Sequence, residues 1–418
     1  MKVSLDYIRT IALPLTVALA VLVLAVTGTA VASAASPVRV DSAVAVGTHK
    51  ADDMAAVCAR QAKRKALRAG PRARTSTMTT KRGRRTRAAF KRHCMKHLRR
   101  AAAAKAAPAA ATPNAGPLAV GIDGGYASWG NEEVEFRTQL GASVTRHEWD
   151  PSEPVDAQDD VVLEAASEIH TRIHALLGGN ELGDANQYRD FVVAFIRRYG
   201  QGGTFWSEHP ELDASRYAIT TFELGNEPYF GGMSASEYAD TVRPTLEAVK
   251  QLGLPAKLIL PSYVYGTDTH WIDTLYQRIP NLNGMFYAFA DHPYWYGHDP
   301  AETGDGNSPF ERIDTLRAKM AEHGAGDKPI YLTEYGESTA NCGEECVTES
   351  VQAEHIQQMI EAAASHREWG VELLCLYQLH DWGKDSGSRE EQFGLLQENG
   401  TPKAAYSVAE SAMQQYRG

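Results

Sequence analysis

Cysteine is scarce in this chain, five in 418 residues. Cys342 and Cys346 stand four apart with no second pair of ligands beside them, so a zinc site is not built there and a disulfide is the expected pairing. Cys58 and Cys94 bracket a basic stretch and form the second expected bridge, which suits an oxidising compartment. Cys375 is then left over inside the apolar run 373–376, where a buried, inert thiol is expected. Also missing is a glycine-rich phosphate loop after the first candidate strand, which leaves a nucleotide-binding fold with little support. Positive charge is short over most of the chain: from residue 111 onward there are 20 Lys and Arg against 48 Asp and Glu. Residues 50–105 are the reverse, with 19 Lys and Arg against Asp52 and Asp53. That stretch holds a single aromatic residue, Phe90, and no zinc-finger spacing, so nothing in it resembles a module for specific nucleic-acid recognition.

The long hydrophobic run is confined to the start. Lys2 and Arg9 flank the apolar residues 11–26, and Val31-Ala32-Ser33-Ala34 offers small residues for cleavage, so residues 1–34 are expected to be a signal peptide. The alternative is an uncleaved anchor, since residues 11–35 approach spanning length. Either way the body faces outside, and the expectation is a secreted, monomeric protein. Residues 35–117 form a second region, a basic Ala/Lys/Arg-rich segment and linker. Within it, 54–69 and 86–105 have helix-forming composition, separated by Gly70-Pro71 and Gly83. Its charge of about +17 allows two readings, a tether to an anionic cell-surface polymer or a solvated spacer.

From residue 118 the pattern changes. Short apolar runs at 118–122, 142–146, 172–177, 217–224, 257–260, 285–290, 330–333 and 372–377 alternate with helical periodicity, as at 187–199, 236–252, 309–323 and 350–369. Eight alternations over about 300 residues predict one α/β domain, residues 118–418, folded as a (β/α)8 TIM barrel. A doubly wound open sheet is the competing architecture.

Two of these runs end in chemistry. Thr220-Thr-Phe-Glu-Leu-Gly-Asn-Glu-Pro-Tyr229 closes the fourth strand with Asn226, Glu227 and a proline that cannot donate to a sheet ladder. Pro329-Ile-Tyr-Leu-Thr-Glu-Tyr-Gly336 closes the seventh with Glu334. In a parallel barrel these positions face the substrate mouth, and a pair of carboxylates there suits glycoside hydrolysis. Either glutamate alone would be as well explained by scaffolding. Glu223, inside the fourth strand, and Glu337, in the loop after the seventh, are set aside.

In this order of motifs the chain resembles the retaining glycoside hydrolases of clan A, the superfamily of cellulase family 5 and its relatives, over residues 118–418. The resemblance implies a (β/α)8 barrel that cleaves O-glycosidic, expectedly β, linkages of a poly- or oligosaccharide by double displacement. Residue by residue it implies Asn226-Glu227 as the asparagine and acid/base, and Glu334 as the nucleophile. Asp291-His292-Pro-Tyr294 matches a His-x-Tyr motif in which Tyr294 contacts the nucleophile and His292 lies near the acid/base. Arg146 resembles the arginine that keeps the nucleophile ionised, and Trp382 the aromatic platform under the sugar, with Tyr377 and His380 as alternatives to it. Where family 5 carries a histidine after strand three, this chain has Leu177-Gly178-Gly179, and His174 lies inside the strand, expected as a core or supporting residue. The expected pKa order is Glu227 raised and Glu334 held ionised by Arg146 and Tyr294. No metal or organic cofactor is implied. An inactive carbohydrate-binding barrel and a transglycosylase are the alternatives that share these residues.

Overall fold

Eight parallel strands close on themselves in sequence order, each paired with the next and the eighth with the first. The computed structural model describes residues 113–418 apart from 125–130, 156, 305 and 384–386; the candidate signal, the basic segment, Cys58 and Cys94 lie outside the described residues. The strands are β1 (Ala119–Asp123), β2 (Val144–Trp149), β3 (Arg172–Leu177), β4 (Thr221–Leu224), β5 (Lys257–Pro261), β6 (Ala288–Asp291), β7 (Ile330–Tyr335) and β8 (Val371–Leu376). Each is followed by a principal helix: α1 (Asn131–Leu140), α2 (Ala157–Glu168), α3 (Ala185–Tyr199), α4 (Ala235–Leu252), α5 (His270–Arg278), α6 (Pro309–Glu322), α7 (Glu349–Ser365) and α8 (Ala404–Gln415). The chain is thus the expected (β/α)8 barrel.

Local chemistry sets the helix ends. Ser234 and Glu237 form a reciprocal capping box at the start of α4, which stops at Gly253 in the left-handed region (φ 61°), where a side chain would be strained. Asp184, Ser308 and Thr348 cap α3, α6 and α7 by accepting backbone N–H bonds.

The main apolar core lies between strands and helices, where Phe195, Tyr199, Phe222, Leu246, Ile272, Leu316 and Met359 are buried. A smaller cluster of Ala119, Val144, Ile259, Ala288, Tyr331, Leu373 and Cys375 packs together separately. Gly121 belongs to the same neighbourhood, since an added Cβ would meet Val144 O at 2.7 Å and Cys375 Sγ at 3.3 Å. Arg146, His174, Glu223 and Thr333 form a buried polar group of their own.

Among the strand limits that differ from the sequence reading, three bear on the site. β2 continues through His147, Glu148 and Trp149, which pair with Ala175, Leu176 and Leu177, so Arg146 lies within the strand and not at its end. β7 runs on to Tyr335, paired with Leu376, which puts Glu334 inside it. β4 begins only at Thr221, because Tyr217 belongs to a helical turn, Ala214–Tyr217, capped by Asp213. The first two differences share a cause. In a closed barrel alternate residues point inward, and an interior group of charges tolerates polar residues that look like strand breakers in sequence.

Candidate active site

The site is built on one buried cation. Arg146 is 3% exposed, and its guanidinium donates to Glu334 Oε1 at 2.8 Å, Asp123 Oδ2 at 2.6 Å, Glu223 Oε2 at 2.8 Å and Asn226 Oδ1 at 2.8 Å. Burial opposes the charge on Arg146, but the carboxylates of Glu223, Asp123 and Glu334 override it and raise its pKa. Asp123 sits at the C-terminal end of β1, Glu223 within β4 and Glu334 within β7, so a single side chain ties four strands at the mouth of the barrel.

Gly225, with φ 90°, ends β4 and turns the chain outward into Asn226 and Glu227. Glu227 itself adopts φ 41°, the left-handed region that a residue with a Cβ enters only under strain. Its carboxylate accepts from His292 Nδ1 at 2.8 Å, and the same nitrogen lies 3.6 Å from Glu334 Oε2. His292 follows β6. Its other nitrogen lies 3.0 Å from Thr333 Oγ1, whose hydroxyl donates to Glu223 Oε1 at 3.0 Å. Since the threonine hydrogen is committed to Glu223, His292 Nε2 is the donor in its bond. The Tyr294 hydroxyl donates to Glu334 Oε2 at 3.0 Å.

The pKa order is the reverse of the one expected. Burial would raise Glu227, but the His292 charge and hydrogen bond hold it below the usual carboxylate range. Burial pushes Glu334 up to about 7 despite His292 and Arg146, with Glu227 and Asp123 adding to the rise. Burial lowers His292, yet the charges of Glu334 and Glu227 and the bond to Glu227 lift it to about 9. The sequence reading placed His292 near Glu227 but left its charge out of the pKa order, and a cation 2.8 Å from Glu227 outweighs its desolvation.

A cavity of about 510 Å³ opens over this group, lined by Asp123, Arg146, Asn226, Glu227, Tyr294 and Glu334, and by Tyr377, His380, Trp382 and Phe393 from the chain after β8. Trp382 is 62% exposed and anchored by its indole N–H to Glu390 O at 2.7 Å. Tyr377, directly after β8, meets Tyr294 and Phe393 edge-on. Tyr296 forms another part of the lining, and the Arg389 guanidinium stacks 3.9 Å over its ring while bonding Glu345 at 2.8 Å. Glu345 lies in the loop closed by the Cys342–Cys346 disulfide, and Cys375 is a buried free thiol.

Thus six of the seven sequence candidates, Arg146, Asn226, Glu227, Tyr294, Glu334 and Trp382, line one cavity, while His292 is buried behind it and acts through Glu227. Glu223, which the sequence reading set aside, is part of the same bonded group: it takes bonds from Arg146, His174 and Thr333. Burial would raise its pKa, but Arg146 and His174 hold it well below the usual range. His174 is the supporting residue expected, bonded to Glu223 and Thr221. Glu337 is buried elsewhere, accepting from His355 and from the Gly297 backbone. Sequence reasoning missed Asp123, although it follows the first apolar run in the manner that singled out Glu227. Phe393 carries no local signal, since only the folding of its loop brings it to the cavity.

No family model matches the chain, and no curated protein matches it. Among solved structures, the chain is similar to a family 39 glycoside hydrolase from the gut symbiont Bacteroides cellulosilyticus WH2. The TM-score is 0.54 at 14% identity, covering 71% of this chain and 63% of that one, so the chain spans less than two thirds of that structure's length. A glucosidase from Croceicoccus marinus is similar with a TM-score of 0.53 at 13% identity, covering 72% of this chain and 69% of the other. At these identities the likeness is one of fold alone.

Proposed function

We propose that the protein is a secreted retaining glycoside hydrolase that cleaves β-linked units of a poly- or oligosaccharide, with Glu334 as nucleophile and Glu227 as acid/base. The observation that carries the reading is His292 Nδ1, which lies within 2.8 Å of Glu227 and 3.6 Å of Glu334. One nitrogen reaches both only if the carboxyl oxygens are close together. This supports the pair spacing of about 5 to 5.5 Å used in retention over the spacing of about 6.5 to 9.5 Å that leaves room for a water.

In the first step a Glu334 oxygen attacks the anomeric carbon, and the bond from that carbon to the leaving oxygen breaks. The leaving oxygen takes a proton from Glu227, which receives it from His292 Nδ1 across their 2.8 Å bond. Arg146 and Tyr294 each donate to Glu334 and favour the ionised form that attacks. Because Asn226 Oδ1 is occupied by Arg146, its amide N–H group is left to face the sugar. In the second step Glu227 takes a proton from water and returns it to His292, the water oxygen attacks the same carbon, the ester bond to Glu334 breaks, and the sugar leaves with the starting configuration. The exposed Trp382 face suits stacking on a pyranose.

The test is the Glu227→Ala variant on glycosides of graded leaving groups. A dinitrophenolate departs without a proton and an alkoxide does not, so turnover on activated aryl glycosides should survive far better than on natural polysaccharide. Azide should speed release of the glycosyl-enzyme and yield a glycosyl azide of the starting configuration. Equal losses on good and poor leaving groups, without azide rescue, would remove Glu227 from this role and favour a binding protein.

A further inference from the structure

A second cavity, of about 960 Å³, lies beside the catalytic one and shares Glu148 and Asn226 with it. It is formed by the ends of β2 and β3 and the loops after them. Its lining includes Glu148, Trp149, Asp150, Ser152, Glu153 and Glu181, and no lysine or arginine. Nothing in the two-carboxylate mechanism uses this space.

Glu148 stands at the junction. It is half-buried, and its carboxylate makes no hydrogen bond or ion pair with the described residues. Gly179 makes room for it, since a Cβ there would lie 2.9 Å from Glu148 Oε1. Its carboxylate lines both cavities, where the hydroxyls of a sugar can donate to it. Burial, offset in part by Arg146, raises its pKa.

The side of the reaction that this space serves follows from Glu227. His292, after β6, holds the Glu227 carboxylate, so the departing group leaves on the β6 side, while the second cavity opens on the β2 and β3 side. Resting on the glycosidase reading above, we propose that this cavity is a subsite for the sugar units that stay on the enzyme. It accepts a neutral glycan of two or more units, hydrogen-bonded by Glu148, and disfavours uronic acids. An anionic sugar would face four carboxylates and no cation, and like charges at close range repel.

The test uses the full chain and aryl glycosides bearing one, two and three units of the neutral sugar that the enzyme cleaves. For the wild type, kcat/KM should rise at least tenfold from one unit to three, and a uronic acid in the second position should cancel most of the gain. Ser152→Trp, at an exposed position of the cavity wall, should cut the three-to-one ratio severalfold. Glu148→Gln should narrow the discrimination against the uronate. Ratios on one preparation cancel any change in the folded fraction. A wild-type ratio near one, or a ratio untouched by Ser152→Trp, overturns the subsite while leaving the catalytic reading intact, because one-unit turnover would still depend on Glu227. Absence of turnover on every glycoside overturns the catalytic reading and this inference with it.

Discussion

At the scale of single residues, the decisive feature is the imbalance of charge around Arg146. One guanidinium faces Asp123, Glu223 and Glu334, all nearly inaccessible to solvent. Arg146→Met leaves three buried carboxylates without their cation, and breaking a buried pair in this way costs about 3–5 kcal/mol. Urea or thermal denaturation should show a loss of that order, and activity should fall with it because Glu334 loses its strongest donor. The second consequence is a pH profile. In the proposed mechanism Glu334, pushed up to about 7, must be ionised to attack, so kcat/KM should climb as pH rises through about 7. His292 titrates near 9 and holds the proton that Glu227 passes on, so the rate should fall as pH rises through about 9. The two limbs belong to the coupled group, not to either residue alone. A profile already flat at pH 5 would contradict the burial assigned to Glu334.

At the scale of elements, the chain after β8 is the piece that shapes the catalytic cavity, and one lysine at the start of α8 fixes it. Lys403 is 4% exposed and donates to Asp381 Oδ1 at 2.7 Å, Thr339 Oγ1 at 2.8 Å and Gln392 O at 3.1 Å, joining the loops after β7 and β8. Asp381 precedes Trp382 and also accepts from the Gly394 backbone at 2.8 Å. Lys403→Met should therefore destabilise by about 3–5 kcal/mol, because Asp381 is left buried without its cation. The double variant with Asp381→Asn should be less damaged, since no charge remains to be compensated. Denaturation curves on the two variants check this ordering, and KM for oligosaccharide should rise in the single variant as Trp382 loses its fixed position.

At the scale of the whole molecule, charge is divided between two regions of the sequence. Residues 35–117 are basic and the barrel region is acidic. Deletion of residues 35–110 should leave turnover of a soluble substrate within about twofold, while any attachment to an anionic surface should weaken with added salt over the Debye range of about 10 Å at 0.1 M. A large loss of turnover would make the basic segment part of the catalytic fold.

The sequence by itself determined the barrel, because eight alternations of strand and helix periodicity are local patterns and a parallel sheet of that length closes in few ways. It also singled out Glu227 and Glu334 as candidates, because each ends or nearly ends an apolar run with a motif legible in a few adjacent residues. The resemblance to clan A brought Arg146, His292, Tyr294 and Trp382 to attention by their place in that order. What only the tertiary structure decided is how the charges are shared. Glu223 looked like an interior residue of no account, and the folded barrel makes it a partner of Arg146, His174 and Thr333. The pKa order of the two glutamates depends on an imidazole 65 residues from one and 42 from the other in sequence, yet within 3.6 Å of both. Phe393 reaches the cavity through a loop whose course no local pattern encodes. Electrostatic environment and cavity shape are sums over residues distant in the chain, so they exist only once the barrel has closed.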